Sequence, residues 1–268
     1  MINRETLEKE YPNYKRCIKD AFESGQSHIF KWWGEITNAE QKHLLKQTAT
    51  IDFQFVHKLL NDNLQKTKNT LHGELVPPKI ITVPQNASEL ELAQRARQIG
   101  EASLRRGEIA VLTVAGGHGT RLGSNVPKGT LPIAPISGKS VFQLHAEKIR
   151  AVQHKYHTCI PWYIMTSETN DHVTQKFFKS HRFFGLDPRQ VYFFTQGMFP
   201  AVDLNGKLLM NSKSNIVMSP NGHGGTIIAL EEKGILKDME ARGVKNIFYH
   251  QVDNVLIKIA DPVFVGYH

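Results

Sequence analysis

The sequence predicts an α/β fold with a mainly parallel sheet, preceded by a helical arm. Residues 1–70 carry apolar side chains at helical spacing. From Ile109 onward, short runs rich in β-branched residues alternate with helical patterns, which is typical of a parallel sheet with helices on both faces. We therefore expect a helical N-terminal region, residues 1–105, and an α/β core, residues 106–268.

In the helical arm, Thr37 followed by Glu40 forms a capping-box pattern that predicts a helix beginning at Asn38. One apolar stripe follows it, which predicts a face turned to the core: Leu44, Leu45, Thr48, Ile51, Phe55 and Leu59. The aromatic pair Trp32 and Trp33 is interpreted as packing.

Residues 71–87 are predicted to be irregular, because Pro77, Pro78 and Pro84 interrupt any continuous helix. Ser88 is the expected cap of a helix from Glu89 to Arg106.

The strand candidates are residues 109–115, 160–166, 191–195 and 246–252, with helical patterns near 140–156, 169–180 and 225–242 between them. Ligands of open α/β sheets bind beyond the carboxyl ends of the strands. Polar or glycine residues follow all four candidates: Gly116 and Gly117, Ser167, Gln196, and Asp253 with Asn254. Loops are polar in general, so this pattern indicates a ligand site only in combination with sequence motifs.

The glycine-rich segment 115–129 is the most informative motif. Glycines after a strand expose backbone N–H groups that can hold phosphate oxygens, and Arg121 and Lys128 follow within reach. A plain turn is the alternative. Two better-known loops do not fit, because Ile133 stands where a P-loop before Gly138 needs glycine, and a dinucleotide fingerprint would have its third glycine one residue late.

Composition narrows the class of protein. The net charge is +8, but the basic residues are scattered, so attraction of anionic small molecules is favoured over nucleic-acid binding. No apolar run is long enough for a membrane span, and the N-terminus lacks a signal-like apolar region. Only two cysteines occur, which is typical of a reducing compartment, so a cytoplasmic protein is expected.

Several blocks in order resemble the UDP-sugar pyrophosphorylases, and within them the eukaryotic-type UDP-N-acetylhexosamine pyrophosphorylases. The family pattern Gly-Gly-x-Gly-Thr followed by Pro-Lys-Gly matches residues 116–129. Further matching blocks are residues 142–149, 160–167, 184–186, 196–200, 218–225 and 252–256. The resemblance implies a Rossmann-like sheet of the nucleotide-diphospho-sugar transferase type and makes residues 106–268 the nucleotide-binding catalytic core.

The resemblance implies a uridylyltransferase that converts UTP and N-acetylglucosamine 1-phosphate to UDP-N-acetylglucosamine and pyrophosphate. Arg121 and Lys128 are then the catalytic cations, and Asp253 holds Mg²⁺, the expected cofactor. A carboxylate at a strand's end suits that hard cation, although a capping role is the alternative. The implied nucleotide-binding residues are Leu112, Ala115, Gly116, Gly117, Gln196, Pro220 and Gly222, with the Gln196 amide reading uracil. The implied sugar-binding residues are His223, Gly224 and Asn254.

Two histidines depart from the family, which often has asparagine at position 223 and glutamine at position 118. The change at His223 bears on which sugar is bound, so glucose or galactose 1-phosphate remains an alternative. Members of the family continue well beyond residue 268, so the core is expected to be incomplete at its C-terminus. A UTP-binding remnant without activity is a further alternative, and a monomer or weak homo-oligomer is expected.

Overall fold

The computed structural model describes residues 2–66, 76–78, 80–119, 123 and 126–268. Contacts between Cα atoms divide the chain into two units, Met1–Lys79 with Met198–Pro220, and Ile80–Gly197 with Asn221–His268.

The helices are α1 (Arg4–Glu10), α2 (Lys15–Glu23), α3 (Asn38–Ala49), α4 (Phe53–Lys66), α5 (Ala87–Arg105), α6 (Val141–Tyr156), α7 (Asp171–Ser180), α8 (Thr226–Glu232), α9 (Ile235–Ala241) and α10 (Pro262–Tyr267). The strands are β1 (Ile109–Val114), β2 (Trp162–Thr166), β3 (Val191–Thr195), β4 (Met198–Pro200), β5 (Met210–Ser212), β6 (Asn215–Ile216), β7 (Met218–Pro220) and β8 (Asn246–Gln251). None of the described helices is both long and apolar enough to cross a membrane.

The first unit contains α1 to α4 and two short antiparallel strand pairs, β4 with β7 and β5 with β6. The predicted capping box at the start of α3 is confirmed. The N–H of Thr37 donates to Oε2 of Glu40 at 2.8 Å, and the N–H of Glu40 donates to Oγ1 of Thr37 at 3.4 Å.

The single apolar stripe predicted across α3 and α4 is wrong at Phe55, whose surface is 47% exposed. The reason is a new helix start: Oδ1 of Asp52 accepts the N–H of Phe55 at 2.9 Å, which resets the helical register. Phe53 and Val56 enter the core of the first unit instead. Trp33 is buried in the same core, as predicted.

In the second unit, the described strands form a four-stranded parallel sheet in the order β3-β2-β1-β8. The predicted α/β fold is confirmed, and each predicted strand lies within two residues of its expected bounds. Both faces of β1 are covered: Ile109 and Val111 pack in a cluster with α6 residues, and Ala110 and Leu112 in a cluster with α8 and α9 residues. This explains why the strands read as continuous apolar runs.

Two helix predictions need correction. Asn86, not Ser88, caps α5, because Oδ1 of Asn86 accepts the N–H of Glu89 at 3.0 Å. The pattern over 225–242 forms two helices, α8 and α9, because Gly234 has a φ of +70° and ends the first of them. Helix α5, which the sequence assigned to the N-terminal region, belongs to the second unit.

Glu108 precedes β1 at the opposite end of the strand from the glycine loop. Its carboxylate accepts hydrogen bonds from Arg106 (2.7 Å), Lys245 (2.7 Å) and Ser103 (2.9 Å). The hydrogen bond from Arg106, followed by those from Lys245 and Ser103, lowers the pKa of Glu108 to about 2.

Candidate active site at the carboxyl end of the sheet

The loop that follows β1 approaches the end of β3 closely at Gly116. A Cβ atom at this position would lie 2.7 Å from Nε2 of Gln196 and 3.0 Å from its Cδ and Oε1. Any side chain at position 116 would therefore displace the Gln196 amide, so glycine is needed for the close approach. The sequence separates these residues by eighty positions, and the parallel sheet brings them together across β2, which lies between β1 and β3.

The Gln196 side chain is buried, with 7% of the residue exposed, and its backbone N–H donates to the carbonyl of Thr166 at 2.8 Å. Among the residues that the structure describes, none forms a hydrogen bond with the Gln196 side-chain amide. The amide nitrogen and oxygen are not among the fully enclosed polar atoms, so this amide has donor and acceptor capacity available for a ligand.

The same loop returns to place Lys128 beside Gly117. The N–H of Lys128 donates to the carbonyl of Gly117 at 3.2 Å, and the N–H of Gly119 donates to the carbonyl of Val126 at 3.0 Å. A Cβ at Gly117 would lie 3.5 Å from Cε of Lys128. The glycines and this cation thus share one side of the loop.

Lys128, in the loop that follows β1, contacts the segment that follows β8. Its Nζ donates to Oδ2 of Asp253 at 2.8 Å, and the two side chains are 26% and 49% exposed. Two of the predicted site residues, Lys128 and Asp253, therefore lie together at the carboxyl end of the sheet. Arg121, the other predicted cation, lies outside the described residues.

Asp253 has the chemistry of a magnesium ligand. It is a hard oxygen donor, half-exposed, directly after the last strand. No group of three or more histidine, cysteine, aspartate or glutamate side chains that could hold a metal occurs in the described part of the chain. Mg²⁺ suits this arrangement, because it is bound through one or two carboxylates together with substrate phosphates and water.

The segment after β7 forms a second glycine-rich wall. Gly222 has a φ of +61° and opens a 3₁₀ turn, Gly222–Gly225, that leads into α8. Asn221 fills the space between two glycines: a Cβ at Gly197 would lie 2.4 Å from its Nδ2, and one at Gly225 only 2.0 Å from it. The N–H of Asn221 donates to the carbonyl of Gly197 at 3.0 Å, so this wall is tied to the residue after Gln196.

His223 projects from this wall onto side chains of β8. Its Nδ1 is hydrogen-bonded to the hydroxyl of Tyr249, and its Nε2 lies 3.0 Å from Nε2 of Gln251. The orientation of the Gln251 amide and the tautomer of His223 are assigned from these two hydrogen bonds. Sequence reasoning missed Tyr249 and Gln251, although their alternation along β8 places both on one face of the strand.

The remaining predicted residues lie in different environments. Leu112 is a core residue with 1% of its surface exposed, and Ala115 is also buried, where its carbonyl accepts the Nδ2 of Asn170 at 3.0 Å. Gly224 and Asn254 are exposed. Pro220 ends β7 in the first unit and is not among the residues that the second unit brings together.

Two buried histidines lie under the Asp253 turn. The rings of His145 and His250 are 4.8 Å apart. Nε2 of His145 donates to the carbonyl of Val252, and Nε2 of His250 is hydrogen-bonded to Oγ1 of Thr113, both at 2.8 Å. Nδ1 of His250 lies 3.0 Å from the carbonyl oxygen of Gln251. Burial lowers the pKa of both imidazoles to about 4, so both are neutral at pH 7.

The model of the family described as UTP–glucose-1-phosphate uridylyltransferase matches residues 52–268 of this chain. A UDP-N-acetylglucosamine pyrophosphorylase of Saccharomyces cerevisiae is 38% identical over 257 residues, covering 91% of this chain and 54% of that protein. A UDP-N-acetylhexosamine pyrophosphorylase-like protein of Xenopus tropicalis is 36% identical over 265 residues, covering 92% of this chain and 51% of that protein.

Among solved structures, the uridine diphosphate N-acetylglucosamine pyrophosphorylase of Trypanosoma brucei, in complex with an inhibitor, superposes with a TM-score of 0.79 at 27% identity. The match covers 95% of this chain and 54% of that one. The present chain thus spans about half the length of the curated relatives it matches.

Proposed function

The chain belongs to the UTP–glucose-1-phosphate uridylyltransferase family, and from that premise we propose that it carries out uridylyl transfer from UTP to N-acetylglucosamine 1-phosphate. The observation that carries the proposal is the amide of Gln196, which has no hydrogen-bond partner among the described residues and is held against Gly116 at the same sheet edge as the Lys128–Asp253 pair.

The amide matches the edge of uracil. Uracil presents an N3–H donor beside carbonyl acceptors, and a single carboxamide offers the complementary acceptor and donor. Contact with Gly116 supports a fixed orientation of this amide. Gly222 leaves room for a base or ribose to lie against backbone atoms, since a Cβ there would meet nothing within 4 Å. The space beside Gly116 and Gly117 is taken by the Gln196 amide and the Lys128 side chain, the two groups assigned to the nucleotide.

The reaction joins two anions, so charge neutralisation is the main task of the protein. An oxygen of the sugar 1-phosphate forms a bond to the α-phosphorus of UTP, and the bond from that phosphorus to the bridging oxygen of the β-phosphate breaks. Pyrophosphate leaves with the electron pair of that bond, and no general base is required for a phosphate nucleophile.

Lys128 supplies a mobile positive charge for this step. Its ammonium group is paired with Asp253 in the structure. We assign Lys128 to the reacting phosphates and Asp253 to Mg²⁺, which when bound supplies charge neutralisation of the triphosphate. Arg121 is assigned to the departing phosphates on the resemblance of its motif alone.

Sugar identity is assigned on the family resemblance and on the names of the relatives. His223 bears on it, because its imidazole, held by Tyr249 and Gln251, lies beside exposed Gly224 where the sugar-binding residues are expected. Glucose or galactose 1-phosphate is the alternative acceptor. Because the chain spans half the length of its relatives, a UTP-binding protein without transfer activity is the second candidate.

We further propose a cytoplasmic location, supported by two unpaired cysteines, Cys17 and Cys159, and a monomer or weak homo-oligomer. Nucleic-acid binding is not part of the proposal.

The test uses the 268-residue chain with UTP, Mg²⁺ and a panel of sugar 1-phosphates, with chromatography of UDP-sugar and measurement of pyrophosphate. UDP-N-acetylglucosamine as the main product is the expected result, and preference for another sugar would correct the acceptor. UTP binding by calorimetry without any product would favour the second candidate. Absence of both binding and product would overturn the proposal.

A further inference from the structure

We propose that His145 and Lys148 are positioning residues that fix the Asp253 carboxylate by holding the backbone of the turn that carries it. The inference rests on the proposed function for its consequence, but its geometry is independent of any ligand.

The two side chains lie one turn apart on α6 and reach the same segment. Nε2 of His145 is 2.8 Å from the carbonyl oxygen of Val252. Nζ of Lys148 donates to the carbonyl of Val255 and, at 2.9 Å, to the carbonyl of Ile257. Three bonds from one helix therefore flank Asp253 on both sides.

These carbonyls are the ones that the turn itself leaves unused. Within the turn, the N–H of Asn254 donates to Gln251, that of Val255 donates to Asp253, and that of Ile257 donates to Asn254. The carbonyls of Val252, Val255 and Ile257 therefore have His145 and Lys148 as their hydrogen-bond donors, and removing these side chains would leave the three carbonyls without those donors. The peptide between Val252 and Asp253 is the most direct link, because its carbonyl is bonded to His145 and its N–H belongs to Asp253, the residue assigned to Mg²⁺.

The protonation of His145 agrees with a role in holding the carbonyl of Val252. A carbonyl acceptor requires that Nε2 carry the proton, and Nδ1 is buried without a hydrogen-bond partner in the described part of the chain. An apolar residue would fill this fully buried position without leaving a nitrogen unsatisfied. Among the residues that the structure describes, the carbonyl of Val252 is the one hydrogen-bond partner of the ring.

We call His145 and Lys148, with their three bonds to the turn, the clamp. Loss of the clamp should weaken metal binding at Asp253 and leave recognition of the base unchanged. Groups that orient a ligand without touching the metal typically change its affinity by about 10–100-fold when removed. Gln196 and Gly116 belong to other loops, so UTP binding in the absence of metal should be insensitive to the clamp.

The experiment compares His145→Leu and Lys148→Met, which remove the donors, with His145→Gln and Lys148→Arg, which retain an N–H donor. Lys155→Met is the control, since Lys155 is exposed on the same helix and its ammonium lies over Tyr156. Binding of Mn²⁺ to the UTP complex is measured by electron paramagnetic resonance, and hydrogen exchange of the amides of residues 252–257 by mass spectrometry.

We expect the donor-removing variants to bind Mn²⁺ about tenfold more weakly in the UTP complex, with metal-free UTP affinity within about twofold of the parent. Amide exchange in the turn should be about tenfold faster, and the conservative variants and the control should resemble the parent.

Unchanged exchange and metal affinity in Lys148→Met, whose half-buried side chain tolerates a methionine of similar length, would overturn the proposal even if His145→Leu fails to fold. Failure of the parent to bind Mn²⁺ and UTP would instead count against the proposed function, and the exchange data would still decide the clamp.

Discussion

Replacing Gly116 by alanine tests whether the close approach to Gln196 matters for nucleotide binding. The new methyl group would lie 2.7 Å from Nε2 of Gln196, whereas about 3.4 Å is an ordinary contact, so the amide must retreat by roughly 0.7 Å. Hydrogen bonds of about 2.9 Å lengthened by that amount are no longer hydrogen bonds.

Loss of two bonds to uracil, at about 0.5–1.5 kcal/mol each, weakens UTP binding by about 1–3 kcal/mol, or roughly 5- to 150-fold. The fold should tolerate the change, because the displaced atoms are the end of a flexible side chain. Titration calorimetry of UTP is the assay, with Gly34→Ala as control, since a Cβ at Gly34 would meet nothing within 4 Å. Parent-like UTP affinity in Gly116→Ala would refute the assignment of Gln196 to the base.

Three other predictions concern charge, packing and pH. Lys128→Ala should lower the transfer rate by orders of magnitude while UTP still binds; unaltered turnover would remove Lys128 from the mechanism. Gly129→Ala should lower the melting temperature by roughly 3–9 °C, because its Cβ would lie 2.1 Å from the buried ring of Phe142 and overpacking costs about 1–3 kcal/mol; an unchanged melting temperature would contradict the packing described. The pKa of Glu108 is lowered in the fold, so its stabilisation is present above pH 4.5 and is lost as the pH falls toward 2. Glu108→Gln should therefore lower the melting temperature most above pH 4.5, with a difference from the parent that shrinks in acid; a difference independent of pH would argue against that carboxylate network.

Local patterns predicted the strands and the sheet edge well. The four core strands could be read from apolar, β-branched runs because both sheet faces are covered by helices. The rule that parallel strands present ligands at their carboxyl ends predicted a common edge for the residues after the strands, and at that edge Gly116 lies against Gln196 and Lys128 contacts Asp253.

Features that depend on contacts between distant segments could not be read this way. The placement of β8 beside β1 follows from pairing across more than a hundred residues. The inclusion of Met198–Pro220 in the first unit, together with the helices, has no local signal. His145 is one histidine in an amphipathic helix, and only the structure shows that it reaches the carbonyl of Val252.

Competing local signals explain the misplaced helix boundaries. Asn86 and Ser88 are both good caps, and the side-chain bond of Asn86 to the N–H of Glu89 decides between them. At Phe55 the periodicity was continuous in sequence, but Asp52 started a new helix and shifted the buried face to Phe53 and Val56.

The sheet-end rim formed by the glycine loop, Gln196, Lys128 and Asp253 is assigned to a uridine nucleotide. The ratio of the dissociation constants of CTP and UTP tests this assignment most directly. Cytosine places an acceptor at N3 and an amino group beside it, so an amide oriented for uracil leaves unsatisfied groups that cost about 1–3 kcal/mol. The parent chain should prefer UTP by about tenfold or more, and Gln196→Met should abolish most of that preference. Equal binding of CTP and UTP by the parent, or a preference that survives in Gln196→Met, would show that Gln196 does not read the base.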